Sequence, residues 1–172
     1  MSKRRVYVGI DNGALSGAMC ALCPETGAVI EYALMPNIEH DGKKEADPVE
    51  LIRWLSGYDC IAIGIEACPK HAGSAASMRS MSMSFGICHG AMMVAQLPVC
   101  RVTVHEWQKK ILGKVPQGKT KDYALRKATE NWPGEKWLPS PRCRTPHGGF
   151  IDAALIATYV RDLLLASGAR GC

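Results

Sequence analysis

A chain of 172 residues, 47% hydrophobic and with a net charge of +5, fits one α/β domain spanning 1–172 and is too short for a two-lobed enzyme. It has no internal repeat or low-complexity tract, and no run reaches the roughly 18 apolar residues of a membrane span, so a disordered chain and a membrane helix are both excluded. The opening MSKRRVYVGID lacks the apolar segment and small-residue cleavage site of a secretory leader, and cytoplasmic residence is expected.

Residues 5–11 (RVYVGID) alternate and are rich in β-branched side chains, which predicts a strand. Asn12-Gly13 then gives a hairpin signal, leading into a second strand over 16–22. A third strand is expected over 28–34, after the turn residues Pro24-Glu25-Thr26-Gly27. Asp47-Pro48 is a helix start, and Val49, Leu51, Ile52 and Leu55 follow at helical spacing. Residues 60–66 (CIAIGIE) are almost wholly apolar, as a strand buried on both faces should be, and end in a carboxylate. The small and sulfur-bearing residues of 74–96 suit a long helix, although Gly86 and Gly90 weaken its continuity. A fifth strand over 100–104, helices over 106–112 and 120–131, and a last helix over 150–165 complete the chain. This order predicts a five-stranded mixed sheet with helices on both faces, the ribonuclease H-like fold.

Eight cysteines at irregular spacing read as reduced core residues rather than a disulfide framework. Cys20-x-x-Cys23 has no second pair and lies in an alternating strand, so it does not read as a zinc knuckle. The charge is unevenly placed: residues 101–144 hold eleven Lys/Arg and four Asp/Glu, leaving the rest of the chain slightly acidic. A basic stretch of this kind suits a phosphate backbone, whose neutralisation releases counterions; a solvated basic face is the alternative.

Three carboxylates occupy positions from which an acid can do chemistry. Asp11 closes the first strand just before a glycine, a placement that also suits ordinary turns and the phosphate loops of actin-like kinases. Glu66 ends a strand too apolar to hold an ion without a partner, either a metal or a lysine such as Lys70. Asp152 begins an otherwise apolar helix, where helix-dipole capping is the alternative to ligation. Together they supply hard oxygen ligands for Mg²⁺ or Mn²⁺, and two such ions can clamp the attacking and leaving oxygens of phosphoryl transfer.

Gly9-Ile10-Asp11-Asn12-Gly13, Gly64-Ile65-Glu66, Val102-Thr103-Val104-x-x-Trp107-x-Lys109-x-x-Leu112-Gly113 and His147-Gly148-Gly149-x-x-Asp152-Ala153-Ala154 occur in that order. This combination resembles the RuvC-type Holliday junction resolvases, most closely their phage and prophage branch, over about Val6 to Tyr159. The resemblance implies a homodimeric, Mg²⁺- or Mn²⁺-dependent endonuclease that cuts four-way junctions or related branched DNA in a bacterial or phage-infected cytoplasm. It also implies that Asp11, Glu66 and Asp152 bind metal. The phage pattern is often His-Asp-Gly-x-x-Asp, and here Gly148 stands where the extra acid would be. His147 then serves either as a substitute metal ligand and proton-transfer group or as an ordinary loop histidine.

Gly118-Lys119-Thr120-Lys121 places two ammonium groups before a helix N-terminus, where Lys119 or Lys121 can hold the scissile phosphate. Lys109, Lys110, Lys114, Arg142 and Arg144 join them as candidate DNA contacts. Trp107, Trp132 and Trp137 lie in the same segment; an exposed one would stack on unpaired bases, and Trp107 reads as core. The helix over 74–96 is the candidate dimer interface. Two other functions stay open: a non-catalytic branched-DNA-binding module that lost part of its metal site, and an actin-like-fold phosphotransferase. Cleavage of a junction in Mn²⁺ separates the first, and ATP binding the second.

Overall fold

The structure is a computed structural model that describes residues 2–13, 15–68 and 74–168. Strands β1 (Arg4–Asp11), β2 (Ala18–Leu22) and β3 (Val29–Leu34) form an antiparallel meander. A hairpin, β4 (Asn37–His40) and β5 (Lys43–Ala46), precedes helix α1 (Pro48–Leu55). Then come β6 (Tyr58–Glu66), α2 (Ala75–Val94), β7 (Val99–Val102), α3 (Val104–Leu112), α4 (Thr120–Asn131) and α5 (Gly148–Ser167). The main sheet runs β3-β2-β1-β6-β7, with β6 parallel to both β1 and β7, so the predicted five-stranded mixed sheet is present.

Strand alternation sorts the sheet's side chains onto two faces. Tyr7, Cys20, Leu22, Ala62 and Val102 join α3, α4 and α5 in one core. Val6, Val8, Ile10, Met19, Ile63 and Ile65 join α1 and α2 in the other. Leu155 and Ile156 of α5 are fully buried, and each such side chain contributes roughly 1.5–3 kcal/mol relative to exposure.

Several boundaries differ from the sequence reading for local reasons. The β4–β5 hairpin was not expected because its strands are polar and exposed, yet Asp41-Gly42 is a two-residue turn with both φ angles positive, 49° and 71°. Asn12-Gly13 makes no such turn: Gly17 N–H donates to the Gly13 carbonyl at 2.6 Å, and β2 begins only at Ala18. The fifth strand stops at Val102 rather than 104, because Thr103 and Glu106 form a reciprocal capping box that starts α3. Helix α2 runs unbroken through Gly86 and Gly90. Cys20 and Cys88 are buried thiols, one in each core, but Cys100 is disulfide-bonded, contrary to the expectation of wholly reduced cysteines.

Candidate active site

Asp11 and Glu66 lie on the same face of the sheet. Tyr7, Gly9 and Asp11 alternate toward α5, as do Ala62, Gly64 and Glu66 on the neighbouring strand. Gly9 pairs with Gly64 and Ile10 with Ile65, so the two acids end adjacent parallel strands. The paired glycines form a flat seat for α5: a Cβ on Gly9 would come 2.0 Å from the Ala153 carbonyl oxygen, and one on Gly64 would come 2.6 Å from Val160 Cγ2. Gly149 makes the third close approach, with a Cβ there 2.3 Å from the Ser16 carbonyl oxygen and 3.2 Å from Asp11 Oδ2. The helix therefore sits low on the sheet, and Asp152, one turn before the buried Ile156, reaches the strand ends.

Asp152 is the fifth residue of α5, and the first turn carries no acid, so dipole capping does not account for it. Burial pushes its carboxyl up to about 7; the charges of Asp11 and Glu66 add to the rise and Lys121 opposes it. Burial also raises Glu66 to about 7, against a hydrogen bond from Trp107, whose Nε1 donates to Oε2 at 2.9 Å. Asp11 rises to about 6 through burial, opposed by Gly13 N–H donating to Oδ1 at 3.2 Å. No ion pair among the described residues involves any of the three acids, and Lys70 lies outside those residues.

Three half-buried carboxylates that repel one another suit a divalent cation, whose charge offsets the repulsion and whose hardness matches their oxygens. Among the described residues no three His, Cys, Asp or Glu side chains are drawn together closely enough to hold an ion. The fit rests on donor chemistry and uncompensated charge. His147 borders the cluster: its Cε1 lies 3.1 Å, and Asp11 Oδ2 3.2 Å, from the position of a Gly149 Cβ. As N-cap of α5 it makes no side-chain capping bond, its Nδ1 is buried without a hydrogen-bond partner among the described residues, and burial lowers its pKa, which favours the neutral imidazole.

The two candidate lysines separate. Lys121 lies within electrostatic reach of Asp152, whereas Lys119 pairs with Asp122 at 3.3 Å. Lys109, Lys110, Lys114, Arg142 and Arg144 are exposed, and none takes part in an ion pair among the described residues. The tryptophans are not stacking platforms: Trp107, Trp132 and Trp137 are all buried, Trp132 donating to the Gly27 carbonyl at 2.8 Å and packing edge-on against Trp137. Sequence reasoning missed Trp107 as the partner of Glu66, and missed the glycine seat. The seat had a visible signal in the repeated Gly-Ile-acid of both strands.

No family model matches the sequence, and no curated protein matches it. Solved structures do. Thermus thermophilus RuvC in complex with a Holliday junction substrate is 15% identical, with a TM-score of 0.62 over 97% of this chain and 99% of that one. The fold is that of RuvC. A second T. thermophilus RuvC structure is also 15% identical, with a TM-score of 0.57 over 96% of this chain and 98% of its own. At this identity the likeness to RuvC shows the ribonuclease H-like architecture, and the chemistry rests on this chain's own residues.

Proposed function

We propose that the protein is a divalent-metal-dependent endonuclease that hydrolyses phosphodiester bonds in four-way junctions or related branched DNA. The observation that carries this reading is the placement of Asp11, Glu66 and Asp152 at the neighbouring ends of β1, β6 and α5, half-buried and, among the described residues, in no ion pair. The junction-bound RuvC neighbour supports the choice of substrate.

In this reading Asp11, Glu66 and Asp152 hold Mg²⁺ or Mn²⁺, with His147 as a further donor in place of an acid at Gly148. The metal, when bound, activates water and stabilises charge on the phosphate. Trp107 holds one oxygen of Glu66, fixing the carboxylate's direction. Lys121 supplies positive charge beside Asp152 where the scissile phosphate lies, and the exposed Lys109, Lys110, Lys114, Lys119, Arg142 and Arg144 bind phosphates farther along the arms.

The enzyme acts as a homodimer, because paired cuts in a two-fold junction suit a two-fold assembly. Helix α2 supports this role: Gly90 has open space beside it, Met93 and Val94 are exposed, and an apolar groove of about 610 Å³ separates it from α1. No helix among the described residues is long and apolar enough to cross a membrane, in keeping with a cytoplasmic enzyme. Gly148 favours a second reading, a junction-binding module without cleavage. Incubation with a four-way junction, a flap and plain duplex in Mg²⁺ or Mn²⁺ decides between them: branched-DNA cleavage supports the nuclease, and binding without cleavage in either metal supports the module.

A further inference from the structure

A groove of about 750 Å³ lies between the β4–β5 hairpin and the first half of α2. Lys43, Lys44 and Arg79 line it together with Met83, Ile87 and Leu15, and Leu15 is 79% exposed. It is tied to the candidate active site at two points. Leu15 belongs to the connection that follows Asp11, and Ser84 of the groove wall donates its hydroxyl to the carbonyl of Asn12.

The charges facing this groove are unspent. Glu45 is its single acid, and no ion pair among the described residues involves Lys43, Lys44 or Arg79. A second basic pocket contrasts with it: there Lys127 pairs with Glu130 at 3.6 Å, and Arg161 pairs with Asp162 at 3.3 Å while donating to the Pro24 carbonyl at 2.9 Å. Lys127 and Arg161 thus brace the protein itself, leaving Lys110 as the one cation lining that pocket with no ion pair among the described residues. Unpaired cations beside exposed apolar side chains match a ligand that is anionic along one edge and flat and apolar on the other, which describes an unpaired nucleotide. A second copy of this chain, itself at +5, is a poorer complement to three cations.

We propose that this groove takes the unpaired strand next to the scissile phosphate, with Lys43, Lys44 and Arg79 on its phosphates and Leu15 and Met83 against a base that the branch point leaves unstacked. The strand crosses the sheet edge from the carboxylates on the α5 side to the groove on the α2 side. This assignment rests on the nuclease reading and adds to it the path of the flanking strand.

The test is metal-free binding of a four-way junction carrying 2-aminopurine beside the branch, followed by anisotropy and by the fluorescence of that base across a salt series. Combined Lys43→Glu, Lys44→Glu and Arg79→Glu should weaken binding at least about tenfold and shallow the log K against log salt slope by about 2, at about 0.7 per single-strand contact. Combined Leu15→Ser and Met83→Ser should abolish the 2-aminopurine change while affinity falls only about two- to fivefold. If the triple variant fails to fold by circular dichroism, Lys44→Ala and Arg79→Ala should each shallow the slope by about 0.7. A parent-like slope in the charge variants overturns the groove alone. So does a changed mass in light scattering with unchanged DNA affinity, which assigns the face to a second copy. A parent protein that binds no branched DNA overturns the nuclease reading and this one with it.

Discussion

Helices α5 and α2 are both 20 residues long and cover opposite faces of one sheet, but α5 buries ten residues and α2 only three. The glycines show why. Beneath α5, Gly9 and Gly64 are glycines because helix backbone and side chains occupy the space a Cβ would need; along α2, Gly86 and Gly90 face open space. One helix is locked against the sheet and carries Asp152 to a fixed point. The other leaves most of its surface uncovered by the described residues. In this fold, positional accuracy and available surface are assigned to different helices.

The largest predicted effect breaks the lock. Gly9→Ala sets a methyl 2.0 Å from the Ala153 carbonyl oxygen, and backbone cannot yield as a flexible side chain can, so α5 must lift. We expect a loss of at least about 3 kcal/mol in urea unfolding, the upper end for overpacked cores. Gly90→Ala, on a helix in open space, should instead stabilise by up to about 1 kcal/mol. Equal effects from the two substitutions would erase the distinction between the helices.

The second prediction concerns the charges that the locked helix brings together. Asp11→Asn, Glu66→Gln or Asp152→Asn should each abolish junction cleavage, by at least about 10³-fold, while binding persists, because ligation needs an anionic oxygen. The same acids fix the pH dependence of the metal-free protein. Their folded pKa values, about 6 for Asp11 and about 7 for Glu66 and Asp152, exceed the ordinary 3.8 to 4.5. The folded state therefore binds more protons, and this contribution to stability is complete below about pH 4 and lost as pH rises through 6 to 7. With about 1.4 kcal/mol per unit, melting should show a loss of several kcal/mol between pH 4 and pH 8. Asp152→Asn should recover on the order of 2 kcal/mol of it at pH 8, and Mn²⁺ should recover it in the parent. A metal-free melting temperature that is flat over this range would contradict the crowding of the three carboxylates.

How much of this was legible beforehand depended on whether the signal was local. Most of the element order, and the positions of Asp11, Glu66 and Asp152 near element ends, could be read because each acid closes or begins an apolar run. The polar β4–β5 hairpin escaped apolar periodicity although Asp41-Gly42 announced it, and its Lys43 and Lys44 were left unassigned. The partnership of Trp107 with Glu66 spans 41 positions, and no spacing rule reaches that far. Nor could sequence separate Lys119 from Lys121: each looked equally basic, and only the fold sets one against Asp122 and the other toward Asp152.

Those two contacts supply intermediate effects. Trp107→Phe keeps the ring in the core and removes one hydrogen bond to Glu66, so Mn²⁺ affinity measured by calorimetry should fall about tenfold, a typical cost of losing an outer-shell partner. Lys121→Ala should slow cleavage about tenfold or more at saturating metal, whereas Lys119→Ala should stay within about twofold in rate and shallow only the salt dependence of binding. Reversal of the two lysines would mean that α4 presents its other face to the substrate.

The smallest expected effect sharpens the comparison at the start of α5. Gly148 is exposed, with nothing within 4 Å of a Cβ, so an aspartate fits there without strain. At the first helical position its charge also meets the positive end of the helix dipole, which stabilises the helix by about 0.3–1 kcal/mol. In the proposed metal site the added carboxylate would supply a fourth anion, and Mg²⁺ should gain more than Mn²⁺ because Mg²⁺ prefers hard oxygen donors. His147→Ala should do the opposite. It removes an imidazole nitrogen that has no hydrogen-bond partner among the described residues and should raise the Mn²⁺ concentration needed for half-maximal cleavage several-fold, with little change in Mg²⁺. The measurement is a paired Mg²⁺ and Mn²⁺ titration of cleavage by the parent, His147→Ala and Gly148→Asp proteins. Identical curves for parent and His147→Ala, together with no Mg²⁺ gain from Gly148→Asp, would leave His147 a loop residue that closes the helix end and takes no part in holding metal.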